Sequence, residues 1–464
     1  MNPRACPIIV AAFATAMTGC ARYVAVPMSP AAVATAQAGR TYDPLPVSAR
    51  LARLAPSAHP PLERWNRLSL FAALVENDPD VVAARATVAR TVAEERAARA
   101  PAGPTLTLTS EYAGAAPEAS PWLFGGVVDV PLDIGGRRAA RIDSAGLKTA
   151  MARYDLLEAI WTARQALRMA LADRLIAARQ AETGLQLVAL RERYFAAVSR
   201  RVVAGETARA ELERVRADLS DARRRASDAA SRIAAETLTI AALTGVPVAA
   251  LSAGAVFWED FDEPPIANPD ETTVRTALVA RADILRAVAS YDQSEADVRG
   301  EIARQYPAIS VGPGFTWERG LVKLPFSLGL VLPPLDLNRR AIAAAEARRS
   351  EAGRMLEAAV AHASAAITAG QAEANAARQA LIRIRRDERP AAQQLAAQAD
   401  RELRAGAIDR TDWAAAQSGA LVARLAELDA LARVHAADAA LELALRRPLT
   451  GPELEIIGTV GALL

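Results

Sequence analysis

The chain is poor in cysteine, histidine and aromatic residues. Its 464 residues include two cysteines, Cys6 and Cys20, both within the first twenty positions. No disulfide framework can therefore be drawn through the remainder, and stability must come from packing or from oligomerisation. Three histidines, His59, His362 and His435, lie far apart, and no Cys or His pair stands at metal-ligand spacing. No resident metal or other cofactor is expected, and each histidine reads as a surface or packing residue. G-x-S-x-G, P-loop and dinucleotide fingerprints are absent, and the acidic residues are spread along helical stretches without forming an acid–base couple. An enzyme would have no residues to work with. Lys+Arg number 55 against 53 Asp+Glu, a net charge of +2, which gives no electrostatic reason for a nucleic-acid partner. Aromatics make up 5% although hydrophobic residues make up 52%. Alanine carries much of that apolar count; it forms helices readily and buries little area per residue. Such a composition suits long helices packed side by side rather than a thick core.

The first residues read as a targeting segment. Arg4 gives a thin positive start, and the apolar stretch from Ile8 to Met17 is too short to span a bilayer as a helix. Met17-Thr18-Gly19-Cys20 resembles a bacterial lipobox, which makes residues 1–19 a signal peptide and Cys20 the lipid-attachment residue at the mature N-terminus. An ordinary secretory signal with an incidental cysteine is the alternative. Residues 20–61 hold Pro27, Pro30, Pro44, Pro46, Pro56, Pro60 and Pro61, and read as an extended, lipid-anchored tether.

Beyond the tether the chain repeats itself. Pro104 and Pro307 are 203 residues apart, as are Pro131 and Pro334, Asp80 and Asp283, Asp133 and Asp336, and Arg137 and Arg340. Five matches at one offset, two of them prolines beside alternating strands, indicate two copies of one unit. The first copy, 62–245, reads as a helix to about 100, strands near 104–113 and 122–131, a helix over about 137–202, a reversal near Gly205 and a returning helix. A connector, 246–268, carries Pro264 and Pro265. The second copy, 269–447, gives a helix over about 270–304, strands near 307–317 and 322–332, a helix over about 339–403, a reversal at Gly406 and a returning helix. Residues 448–464 form a C-terminal tail.

Leu212, Val215, Leu219, Ala222, Ala226, Ala229, Ile233, Ile240 and Leu243 follow alternating three- and four-residue steps, broken at Glu236. That is a narrow heptad seam lined by small side chains. Its partner helix would be roughly 100 Å long at 1.5 Å per residue, a length suited to a hairpin standing in a bundle or tube. Arg223-Arg224-Arg225 on the same helix reads as a solvated face. In the strands, Leu106 and Leu108 alternate with threonines, Ile309, Val311, Phe315 and Trp317 share a face, and Phe326, Leu328, Leu330 and Leu332 alternate with Ser327 and Gly329. Ten-residue strands of this kind fit a membrane barrel or a half-buried soluble sheet. Tyr112, Trp122, Phe124, Phe315 and Trp317 near the hairpin ends favour the membrane, as an interfacial girdle. Four strands cannot close a barrel, and open edges are forbidden in lipid, so several chains would have to share one.

With the repeat, the Leu132-Asp133-Ile134-Gly135-Gly136-Arg137-Arg138 and Leu335-Asp336-Leu337-Asn338-Arg339-Arg340 junctions and the Gly-containing reversals, the sequence resembles the TolC-like outer membrane efflux proteins over about 65–447. The resemblance implies an α+β membrane protein: a homotrimer whose chains each give four strands to a twelve-stranded transmembrane β-barrel and two helical hairpins to a periplasmic helical barrel. It implies a passive exit duct in the outer membrane of a Gram-negative bacterium. Its partners would be a periplasmic adapter and an inner-membrane pump of the RND type. The lipobox fits the lipidated branch. The first junction and Ala204-Gly205-Glu206-Thr207 look most like the CzcC-type heavy-metal efflux subgroup, although Ala208-Arg209 stands where that subgroup often has Ser-Pro. Gly205, Glu206, Thr207, Gly406, Ala407 and Ile408 correspond to adapter-contacting tips, though on local evidence a glycine's turn-forming role is the better account of Gly205 and Gly406. Asp409 and Asp412 correspond to a periplasmic constriction that would present rings of carboxylates to cations. For Asp409 a helix N-cap is the competing reading. A duct for drugs, other organic compounds or secreted protein, and a poreless periplasmic coiled-coil or adapter-like protein, are the functional alternatives.

Overall fold

The computed structural model describes residues 23–39, 41–54, 65–112, 114, 120–251, 256–265, 269–318 and 320–454. Cys20, the signal segment and His59 lie outside them. The chain divides into two units, Met1–Asp43 and Pro44–Leu464. In the first, helix α1 (Pro30–Ala38) starts at Ser29, whose hydroxyl accepts from the Ala32 amide.

The second unit opens with α2 (Pro44–Leu54), which buries Val47, Leu51 and Leu54. Over 44–54 this corrects the reading of an extended tether. The three apolar residues recur at helical spacing, and Pro44 sits at the first helical position, where its missing N–H costs nothing. The single helix expected over 62–100 is two: α3 (Arg67–Asn77) and α4 (Pro79–Ala98), parted at Asp78, whose carboxylate caps α4 through the amides of Asp80 and Val81. Proline disfavours the helical conformation in the residue before it, which explains the break. Strands β1 (Thr105–Tyr112) and β2 (Trp122–Leu132) lead to α5 (Arg137–Val203), and α6 (Arg209–Thr244) returns.

Then come α7 (Glu271–Ala280), α8 (Ala282–Ala303), β3 (Ala308–Glu318), β4 (Leu321–Lys323) and β5 (Phe326–Val331). The strand expected over 322–332 is thus divided at Leu324-Pro325. The helix expected over 339–403 is α9 (Arg339–Arg383) and α10 (Arg389–Arg404), joined by a π turn at Ile384–Glu388. Pro390 follows that turn; it lacks the N–H an α-helical ladder would use, and the wider turn accommodates its ring. Helix α11 (Arg410–Leu445) completes the array.

Side by side, the long helices run α6, α5, α11, then α9 with α10; α4 lies on α5, and α8 packs against both α5 and α9. The seam reading survives in detail. Val215, Leu219, Ala222, Ala226, Ala229 and Ile240 are buried, and at the break beside Glu236 the buried position is Thr237, whose hydroxyl accepts from Arg174 Nε at 3.0 Å. Small residues set the spacing: a methyl placed on Gly184 would meet Ala226 at 3.3 Å, and one on Gly370 would meet the Leu441 Cα at 3.3 Å. The core around α11 joins Ile176, Ile367, Leu381, Leu431, Val434 and Leu441 with many alanines and Phe261 of the connector.

Candidate functional site

Three regions carry the residues singled out in the sequence: the sheet, the junctions below it and the two helical reversals.

The sheet is antiparallel in the order β1–β2–β3, with β4 and β5 both on the far edge of β3. One register runs throughout. Leu106 and Leu108 stand beside Val128 and Gly126, Phe124 beside Trp317, Val130 beside Val311, and Val311 beside Leu328. Side chains alternate between faces, so these share one side. That side is exposed and apolar, with Leu108, Phe326 and Leu328 all more than 60% accessible. Across its upper end Tyr112, Trp122, Phe124 and Trp317 form a row of rings with centroids 4.8, 5.6 and 6.3 Å apart. The opposite face carries Thr105, Thr107, Thr109, Glu111, Asp129, Ser310, Thr316, Glu318, Lys323 and Ser327. Glycine is required there: over Gly312 the Ser327 hydroxyl donates to Asp129, and an added Cβ would lie 2.0 Å from the Ser327 oxygen. Among the described residues, the outer edges of β1, β4 and β5 have no strand partner.

At the junctions the arginines of the repeated motif close helix ends. Arg138 donates to the Arg99 carbonyl, and Arg141 to those of Ala98 and Ala100, at the end of α4. Arg137 reaches into the other repeat, donating to Ala303 and Tyr306 at the end of α8. Terminal helix carbonyls lack intrahelical donors and attract positive charge, so these guanidinium groups fix both short helices to the sheet end of α5. Gly135 and Gly136, and Leu337 and Asn338, all adopt positive φ. The sequence marked this motif as a signature without revealing its structural work.

The two reversals are built alike. Gly205 (φ 76°) and Gly406 (φ 72°) follow α5 and α10 in the left-handed region. The Gly205 amide donates to Val202 and that of Glu206 to Arg201; the Gly406 amide donates to Leu403 and that of Ala407 to Glu402. Both are Schellman closures. Gly205, Glu206, Gly406 and Ala407 are exposed at these tips, with Thr207 and Ile408 half-buried. Asp409 caps α11, its Oδ1 accepting from the amides of Thr411 (2.7 Å) and Asp412 (2.9 Å), while Oδ2 lies 3.3 Å from Arg201 Nη1. The Asp412 amide, with the amide and hydroxyl of Thr411 and the charge of Arg201, holds this carboxyl below its ordinary range against the rise that burial would cause. Asp409 is thus committed to the cap and to a tie between the hairpins. Asp412 is exposed, and its carboxylate makes no ion pair among the described residues.

Two buried ionic centres have no signal in the sequence. Glu442, 1% exposed, receives Arg164 at 2.9 Å and Arg168 at 2.6 Å, and Glu453 pairs with Arg67 at 2.6 Å. Residue 453 belongs to what the sequence offered as a plain tail. Burial alone would raise the Glu442 carboxyl; Arg168, Arg164, Arg67 and the Leu449 amide prevail and hold it well below the usual range. Arg67 and Arg168 also lie over the Trp258 ring, and His435 stacks on Phe261 at 4.4 Å. His435 is a packing residue: burial, reinforced by nearby Arg168, Arg67 and Arg179, lowers it to about 4. Glu427 is the second centre, held by Arg385 within the π turn, Arg389 just after it and Arg424. His362 is exposed, and Arg223, Arg224 and Arg225 form exposed pairs with Glu192, Asp221 and Asp228. In the first centre the paired residues are hundreds of positions apart, so no local pattern could have found it.

Among the described residues no helix is long and apolar enough to cross a membrane, a statement that does not bear on strands. Residues 70–246 and 273–445, well over half of the chain, match the outer membrane efflux protein family. No curated protein matches by sequence. Solved structures share the fold. The MtrE outer membrane channel of Neisseria gonorrhoeae, solved in its open state, is 17% identical with a TM-score of 0.67, the match covering 84% of this chain and 89% of that one. The outer membrane protein VceC of Vibrio cholerae is 18% identical, TM-score 0.65, with 83% and 97% covered. The CmeC outer membrane channel of Campylobacter jejuni is 12% identical, TM-score 0.66, with 87% and 90% covered. The chain belongs to the outer membrane efflux protein family, whose members are passive channels of the Gram-negative outer membrane and not enzymes.

Proposed function

We propose that three copies of this chain form the exit duct of a tripartite efflux system, with the sheets closing one twelve-stranded barrel and the hairpins forming a periplasmic tunnel. One observation carries this reading: a sheet apolar and exposed on one face, with the charged and hydroxyl side chains gathered on the other among Leu123, Val127, Leu321 and Val331, and, among the described residues, unpaired at both edges. In lipid such edges must be paired, and only other chains can pair them. Acylation of Cys20 would add a second attachment to the membrane. The tips at Gly205–Thr207 and Gly406–Ile408 would meet a periplasmic adapter, which links the duct to an RND-type pump supplying the energy.

The resemblance leaves three cargo classes open: heavy-metal cations, drugs or other organic compounds, and secreted protein. For cations the ring-forming group is Asp412, because Asp409 is already committed. The test is reconstitution of the purified protein in planar bilayers after its mass in detergent has been measured. A trimer with discrete conductance is the expected result, and a monodisperse monomer or absence of conductance refutes the duct. Asp412→Asn lowers cation over anion permeability at low salt if this carboxylate faces the lumen. Unchanged selectivity removes it from the pathway.

A further inference from the structure

Near the reversals the two hairpins do not close against each other. A cleft of about 440 Å3 lies between α5, α11 and the end of α10, lined by Arg193, Arg200 and Arg410, by Tyr194 and Trp413 and by Leu403 of α10, and floored by buried Ala414 and Leu190. Its volume falls in the range of small-molecule sites.

Arg193 and Arg200 are seven residues apart, on one face of α5, and Arg410 faces them from the first position of α11. None of the three makes an ion pair among the described residues; most carboxylates near them are engaged, Asp412 being the exposed exception. Glu192 pairs with Arg223, Glu211 with Arg214, and Asp409 and Glu206 with Arg201. The aromatic residues have used their polar ends elsewhere: the Tyr194 hydroxyl donates to Glu211, and the Trp413 indole N–H to Asp400. What remains for a ligand is ring surface beside three guanidinium groups, which accept flat carbon by stacking and oxyanions by paired N–H donation. The cleft lies among the middle helices of the array, where α11 packs on α5 and α10 closes one side, away from α6.

We infer that this cleft binds organic anions with an aromatic body, one site per chain. Calling such an anion cargo rests on the exit-duct reading; the binding itself does not. Three guanidinium groups repel bare metal cations, so the site favours the organic class of cargo.

The experiment is calorimetric titration of the full chain in neutral detergent with 2-naphthoate, and with uncharged 2-naphthol as its shape-matched control. Wild type should bind naphthoate saturably at one site per chain and at least 10-fold more tightly than naphthol, and added salt should weaken the binding. The Arg193→Gln/Arg200→Gln/Arg410→Gln variant should lose at least 10-fold in naphthoate affinity and nothing for naphthol. Arg200→Gln and Arg410→Gln singly should each lose about 3-fold, which keeps the test decisive if the triple variant folds poorly. Equal naphthoate binding by wild type and variants, or equal binding of naphthoate and naphthol, overturns the inference. Bilayer conductance of the same samples separates the two readings. A conducting protein without arginine-dependent binding loses the site and keeps the duct; arginine-dependent binding without conductance keeps the site and loses its role in cargo.

Discussion

Replacing Glu442 by glutamine tests the buried ionic layer, because it removes one charge at nearly constant volume. In the folded protein Arg164 and Arg168 converge on the Glu442 carboxylate at 2.9 and 2.6 Å, the Leu449 amide donates to it at 2.8 Å, and Arg67 stands beside it with Glu453 as partner. Three guanidinium groups therefore face two carboxylates, all nine-tenths buried or more. In the Glu442→Gln protein the new side-chain carbonyl could still accept from the Leu449 amide, but three cations would then share one anion. Breaking a buried pair by removing one partner costs roughly 3–5 kcal/mol, because the stranded charge stays out of water. For a chain of this size that corresponds to a fall in melting temperature of roughly 3–5 °C. The assay is helical circular dichroism during heating in detergent, at one fixed scan rate because unfolding of such proteins is commonly irreversible. Arg168→Met combined with Glu442→Met removes a cation together with the anion and should recover at least half of the loss, as expected for coupled neighbours. A Glu442→Gln protein melting within about 1 °C of wild type would refute the argument that this layer is desolvated and tightly paired.

Acid should destabilise the protein through His435. Its pKa is lowered to about 4 by burial, so between its ordinary value and pH 4 the unfolded chain binds the extra proton; stability falls as pH drops through that window, by on the order of 3 kcal/mol, and levels off below it. His435→Phe should flatten the pH dependence of melting there, and an unchanged slope would assign it to other groups. Leu328→Arg, on the exposed apolar face beside Val311, should cost roughly 2–4 kcal/mol at mid-membrane; urea titration of the lipid-inserted protein reads this, and a neutral result contradicts a lipid-facing position. Gly205→Val and Gly406→Val should each lose about 1–2 kcal/mol, because a β-branched residue is forced to positive φ. Neither glycine has an atom within 4 Å of an added Cβ, so loss of adapter docking in a protein that still assembles would show a contact role beyond the turn.

The sequence by itself determined most of the elements and their order. Heptad spacing from Val215 to Ile240 specified the buried face of α6, because a helix buries what recurs at three and four residues. Alternation in Leu106–Leu108 and Phe326–Leu332 specified which strand face is apolar, since the period of two admits no other sorting. Glycine at 205 and 406 marked the reversals, where left-handed backbone excludes most side chains. Local breaks were harder to read: the breaks at Asp78 before Pro79 and at the π turn before Pro390 follow from single prolines, which several local geometries can accommodate. Only the tertiary structure decided the partners. Glu442 meets Arg164 across 278 residues and Glu453 meets Arg67 across 386, while Arg193, Arg200 and Arg410 become one cleft because α11 lies beside α5. Charges spread along helices carry no mark of what will face them; desolvation and pairing arise only when the helices are laid together.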